Sequence, residues 1–181
     1  MISLNISNRR LEASNFQNNN WRNSLDFTHF DDNGNAIMVD VAQKQITMRE
    51  AVATGIITMD EQTMEAVKQS RLKKGDVIGV ARVAGIMAAK KTSDIIPLCH
   101  QLNLTKVSID FEFIDNGIKA TCLTKTTGQT GVEMEALTGV TASLLTIYDM
   151  CKAIDKTMVL TDIKLEKKSG GRSGEFIREN S

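Results

Sequence analysis

Between Ala136 and Tyr148 the chain carries no charge, and Leu, Val, Ile, Ala and Tyr fall on every side of the helix this stretch predicts, which starts at Val132 and reaches about Asp155. A helix that is apolar all round must be buried, either in a core or in an interface. Its two ends are different. Glu133 and Glu135 stand in the first turn, Asp149 and Lys152 near the other end. Asp149 and Lys152 are three apart, so they share a helical face and can meet. They are either an ordinary ion pair at a helix end, where a lysine also suits the dipole, or an acid/base pair that tunes its own proton affinities. The dipole alone explains Glu133 and Glu135 equally well. The separation is the useful quantity, because a straight helix rises roughly 21 Å from Glu135 to Asp149. One small reacting centre cannot touch both ends of one copy. Two antiparallel copies about a two-fold axis would bring the Glu pair of one beside the Asp149–Lys152 pair of the other. The expectation is a site at a subunit interface.

What surrounds this helix reads as an α+β arrangement. Ile37–Val41 is β-branched and follows the turn signal Asp32-Asn33-Gly34, and Ile46–Ile57 is a second strand-like stretch. From Asp60 the apolar spacing changes to that of a short amphipathic helix through Met64 and Val67. Gly75-Asp76 is a start signal for an Ala/Val/Ile helix from Asp76 to about Ser93, after which Pro97 marks an extended connection. Val107–Phe113 alternates with period two, turns at Asp115-Asn116-Gly117 and returns over Ile118–Thr124, which predicts a hairpin. Met158–Leu165 is the final strand. Hairpins outnumber strict βαβ repeats, so the sheet is expected to be antiparallel with helices packed on one face.

Residues 1–26 are rich in Asn and show no apolar period, which predicts a disordered or loosely docked arm. A single domain over 27–176 and a polar tail over 177–181 complete the organisation. With only eight aromatic residues the core must be aliphatic. Twenty-two Lys and Arg balance twenty-two Asp and Glu, which argues against nucleic acid as a partner. No apolar run is long enough to span a bilayer, and MISLNISNRR has no long apolar export segment. Three cysteines without a CxxC pair fit a reducing compartment, and two histidines give little basis for a metal site. A cytoplasmic protein is expected.

Other chemistry is less specific. TGQTG before the long helix is either a plain loop or an anion site of free N–H groups at a helix start. KKSGGRSG, with Lys167, Lys168 and Arg172, is either a flexible tail or a basic lid over phosphates. Lys74 and Arg49 are either solvated charges or phosphate contacts. His100 follows Cys99 on an extended segment, so the two point apart and form no dyad. His100 is either a ligand contact or a satisfied structural histidine.

Taken together, MVDV (38–41), KGDV (74–77), ARVAGIMAAKKT (81–92), IPLCH (96–100), TGVEMEALT (130–138), TIYDMCKA (146–153) and KSGGRSG (168–174) resemble the MoaC family, in order and spacing, from about Thr28 to Phe176. The resemblance implies a ferredoxin-like subunit in a homohexamer, a trimer of dimers, with active sites at dimer interfaces. It implies a lyase acting downstream of a radical enzyme in molybdenum cofactor biosynthesis. A cyclised dihydroguanosine triphosphate would be rearranged to cyclic pyranopterin monophosphate with release of pyrophosphate, without metal or organic cofactor. Matched residue by residue, Asp149 and Lys152 are the implied acid/base pair. Leu98, Cys99 and His100, together with Met134 and Glu135, are the implied substrate contacts. Lys74, Glu133, Lys168 and Arg49 fall on further active-site positions. Two departures stand out: Gln101 where the family has proline, and Arg172 where it has lysine, which keeps the charge but changes its geometry. The competing class is a nucleotide-binding protein that kept the fold and lost the reaction. Asp149, Lys152, Glu135, Lys74, His100 and Lys168 are all present, which favours the enzyme.

Overall fold

The structure, a computed structural model, describes His29, Asp31 and residues 33–69 and 75–179. The N-terminal arm expected over 1–26, and Lys74, lie outside the described residues. Contacts divide the chain into Met1–Val39 and Asp40–Ser181. In the first unit the Asp31 carboxylate accepts the N–H groups of Asn33 and Asn35 at 2.9 and 2.8 Å, which forms the expected turn.

The strand expected over 37–41 is not formed. In the second unit the Asp40 carboxylate accepts the Ala42 N–H at 2.8 Å, and the Lys44 N–H reaches the Val41 carbonyl at 2.9 Å. A side-chain acceptor this close competes with a strand ladder, and the chain turns.

The elements that follow are β1 (Thr47–Thr58), α1 (Glu61–Lys68), α2 (Val77–Ala89), the single turn α3 (Thr92–Ile95), β2 (Leu104–Ile114), β3 (Gly117–Gly128), α4 (Glu133–Cys151), β4 (Val159–Ser169) and β5 (Phe176–Ile177). The strands form one antiparallel sheet in the order β2-β3-β1-β4-β5. With neighbours antiparallel, β1 and β2 run parallel with β3 between them, and β3 and β4 run parallel with β1 between them. The expected α+β class and antiparallel sheet are therefore present.

Local signals account for most of the boundaries. Asp60 and Asp76 cap α1 and α2, their carboxylates accepting the N–H of Thr63 at 2.6 Å and of Gly79 at 2.8 Å. The helix expected from Asp76 to Ser93 breaks after Ala89, where the Thr92 hydroxyl donates to the Ala89 carbonyl at 3.0 Å and a separate turn begins. α4 stops at Cys151 rather than Asp155. The Asp155 carboxylate instead accepts the N–H and hydroxyl of Thr157, each at 2.7 Å, and the Asp60 N–H at 3.1 Å, tying the end of α4 to the start of α1.

Period two on the strands sets the core. Ala51, Ala53 and Ile57 of β1, Ile118, Ala120 and Cys122 of β3, and Ile109 of β2 are buried against Ala136, Val140, Leu144 and Ile147 of α4. The buried core holds no aromatic side chain among the described residues, as the composition requires. Helices α2 and α4 meet through glycine. A Cβ on Gly85 would lie 2.8 Å from the backbone carbonyl of Gly139 and collide with the Ser143 hydroxyl. Because the obstacle is backbone, the two helices would have to separate, and Gly85→Val is expected to cost about 1–3 kcal/mol, read as a lower denaturant midpoint. Among the described residues no helix is long and apolar enough to cross a membrane.

Candidate active site

The start of α4 gathers one group of site residues. The Glu135 carboxylate is nearly fully buried, and burial pushes its pKa up to about 7, with the charge of Glu133 adding to the rise. The thiol of Cys99 is also raised, by burial first and then by the charge of Glu135. The Leu98–His100 segment therefore stands beside the start of α4. It is half-buried, and it is not extended as expected: the Cys99 N–H closes a turn onto the Ile96 carbonyl at 3.1 Å. Met134 is exposed and Glu133 half-buried.

A cleft of about 990 Å³ adjoins this end, with Lys44, Arg49, Gln129, Glu133, Arg172 and Ser173 among its lining residues. Arg49 is more than a candidate anion contact. It donates from Nε to the Gly128 carbonyl and from Nη2 to the Gln129 carbonyl, both at 3.0 Å, and so braces the TGQTG turn. α4 begins there without a side-chain cap. The glycine-rich loop packs onto the same guanidinium. Gly171 has φ +74°, and a Cβ there would run into Arg49 Nη1. Both the left-handed backbone and the contact select glycine. Gly171→Ala is expected to raise KM for an anionic substrate by about tenfold, since a strained loop and a displaced Arg49 together cost on the order of 1–3 kcal/mol. Steady-state kinetics with pyrophosphate as competitor reads this change.

Two features of the cleft escaped the sequence reading. Gln129 Nε2 donates to the carbonyls of Ala42 and Lys44 at 3.0 and 3.1 Å, which holds the loop carrying Lys44 against the TGQTG turn. Thr47 lines the cleft, and its hydroxyl is buried with no hydrogen-bond partner among the described residues. The spacing D-x-x-x-K at 40–44 is visible in the sequence, but the tether through Gln129 is long-range and leaves no local signal. Lys168 also differs from expectation. It belongs to β4, which continues to Ser169, and its ammonium meets the hydroxyl of Ser173 at the cleft wall.

The other end of α4 carries the second group. Lys152 Nζ lies 2.6 Å from Asp149 Oδ1, so the predicted pair forms. Asp149 holds the Lys152 ammonium above the ordinary lysine range, through the direct hydrogen bond first and its charge second. The side chains are 53% and 57% exposed, so one copy of the chain does not supply the apolar setting that would sharpen their chemistry. The structure thus brings Arg49, Glu133, Arg172 and, through Ser173, Lys168 around one cleft beside Glu135 and the Leu98–His100 segment. Asp149 and Lys152 stand a helix length away, roughly 21 Å by helix rise. Among the described residues no three His, Cys, Asp or Glu side chains gather in a metal-binding group.

The profile of the MoaC family matches residues 38–171. A cyclic pyranopterin monophosphate synthase of Clostridium botulinum is 59% identical over 155 residues, covering 84% of this chain and 98% of that protein. The synthase of the same name from Desulfitobacterium hafniense is 54% identical over 157 residues, covering 86% and 96%. That of Heliobacterium modesticaldum is 56% identical over 154 residues, covering 84% and 97%. The match spans the cleft residues from Asp40 to Gly171 and both ends of α4, and the chain belongs to the MoaC family of enzymes.

Proposed function

We propose that this chain is a cyclic pyranopterin monophosphate synthase, a lyase of molybdenum cofactor biosynthesis that acts on a cyclised dihydroguanosine triphosphate and releases pyrophosphate. The observation that carries the reading is the division of labour along α4: an anion cleft and a buried acid at its start, an ion-paired lysine at its end.

In this reading two copies related by a two-fold axis join the start of one α4 to the end of the other. Leu145 supports such an arrangement, since it projects 54% exposed from the uncharged middle of α4. Arg49, Lys44, Arg172 and Lys168 neutralise the triphosphate, and the orphaned Thr47 hydroxyl finds an acceptor there. Lys152 enters the cycle as an ammonium because Asp149 stabilises its proton, and acts first as an acid toward a ring or leaving-group atom. Glu135, near 7, can give or take a proton at neutral pH. Lys74, Met134, Leu98, Cys99 and His100 are proposed as substrate contacts. The dimers assemble as a trimer into a hexamer, and the protein works in the cytoplasm downstream of the radical enzyme that makes its substrate.

Incubation of the purified protein with the cyclised dihydroguanosine triphosphate tests the reaction itself. One pyrophosphate per substrate and the mass of the pyranopterin monophosphate are expected. Intact substrate after incubation with folded, assembled protein would overturn the reading.

A further inference from the structure

The glycine-rich loop ends in contacts that lie beyond the residues matched by the family profile, and the proposed reaction does not use them. β5 pairs with β4 through Lys167 with Ile177 and Lys168 with Phe176, so the loop is the closed tip of a hairpin rather than the free start of a tail. Two pairs are few for holding a loop of this length. Arg178 adds the rest. Its N–H donates to the Glu166 carbonyl at 2.8 Å, its Nε donates to the Leu165 carbonyl at 2.8 Å, and its guanidinium stands 5.9 Å from the centre of the Phe176 ring. Glu166, whose carboxylate lies 3.9 Å from Arg178 Nε, is itself fixed to β1 by the Thr54 hydroxyl at 2.6 Å. The ion pair is partly exposed and long, so it adds little. The directional bonds to two backbone carbonyls are what fasten β5.

We propose that Arg178 is a positioning residue for the anion cleft: it latches β5 onto β4 and so presents Lys168, Arg172 and Ser173 to the phosphates in one geometry. The inference rests on the reading of the cleft as the triphosphate site. With β5 released, residues 170–179 become a tail with one fixed end, and ordering them again falls on the ligand. The loss appears in binding rather than in the proton transfers at Lys152.

The test uses the whole protein, with Arg178→Ala and, separately, a chain ending at Glu175. Inorganic pyrophosphate is the probe, titrated calorimetrically, and steady-state kinetics give KM and kcat. The chain ending at Glu175 is expected to bind pyrophosphate about tenfold more weakly and to show KM raised by a similar factor, while Arg178→Ala, which loses the Nε bond to Leu165 but keeps its backbone N–H bond to Glu166, should lose about threefold, with kcat kept within about twofold in both. Amide exchange should quicken at Gly171–Gly174 while the core amides stay protected. Arg178→Lys, which keeps the cation but not the guanidinium geometry, should fall between wild type and alanine. Unchanged pyrophosphate affinity in both variants, with exchange at the loop faster, would overturn the latch while leaving the proposed reaction intact. A wild-type protein that turns over substrate yet binds no pyrophosphate would overturn the latch as well. A wild type that neither binds pyrophosphate nor turns over would overturn the functional reading and the latch with it.

Discussion

Lys152→Ala is expected to lower turnover by about 10²–10⁴ while leaving fold and assembly unchanged. The side chain is 53% exposed and, among the described residues, its ion pair is with Asp149, so the core does not depend on it. In the proposed reaction its contribution is a positioned proton. Asp149 raises the affinity of Lys152 for that proton by accepting its hydrogen bond and by its charge. Asp149→Asn removes the charge, so the Lys152 pKa falls. The alkaline limb of the kcat/KM profile, where the acid form is lost, should then move to lower pH than in wild type. An alkaline limb that stays in place would assign it to another group.

Glu135→Gln is expected to change how stability depends on pH. Burial raises the Glu135 pKa from 4.5 to about 7, so the folded protein favours the protonated carboxyl. The stability linked to that proton is fully present below the unfolded value near 4.5 and is lost as pH rises through about 7. That interval corresponds to about 3 kcal/mol. Wild type should therefore lose up to about that much between pH 4.5 and pH 8 relative to the glutamine variant, which carries no proton to lose. Urea midpoints at the two pH values measure the difference. Parallel curves would mean that Glu135 is ionised at little cost in the folded protein. Activity should fall in the variant as well, since an amide cannot exchange a proton.

The elements that were legible in the sequence are those fixed by nearby residues. Asp60 and Asp76 announce their helices because a cap is a local hydrogen bond. The β2–β3 hairpin reads directly from its alternation and its Asn-Gly turn. α4 was visible for its missing charges and the Asp149–Lys152 pair for its spacing, and 2.6 Å between them repays that reading. The failures have a common cause in distant or competing partners. Asp155 continues a helical pattern by composition, yet its carboxylate is occupied by Thr157 and by Asp60, ninety-five residues away. Ile37–Val41 looks like a strand until Asp40 captures the Ala42 N–H. The length of β4 depends on pairing with β1 and β5, so Lys168 looked like a loop residue when only its neighbours were considered. At the site, the residue types were legible through family motifs, and their roles are those proposed above. The bracing of TGQTG by Arg49 and the Gln129 tether to the Lys44 loop join segments some eighty residues apart, beyond the reach of any local pattern.

The central claim is that the start of α4 from one copy and the end of α4 from another make one catalytic centre. Its most direct test is to co-express differently tagged Lys152→Ala and Glu135→Ala chains, purify the assemblies and measure pyrophosphate release from the cyclised dihydroguanosine triphosphate. Each variant alone should be inactive. In a hybrid dimer one of the two sites receives Glu135 from one chain and Lys152 from the other, so random mixing should restore about a quarter of wild-type turnover. No restored activity in assemblies shown to contain both tags would mean that the two ends of α4 do not meet across an interface, and the account would fail there.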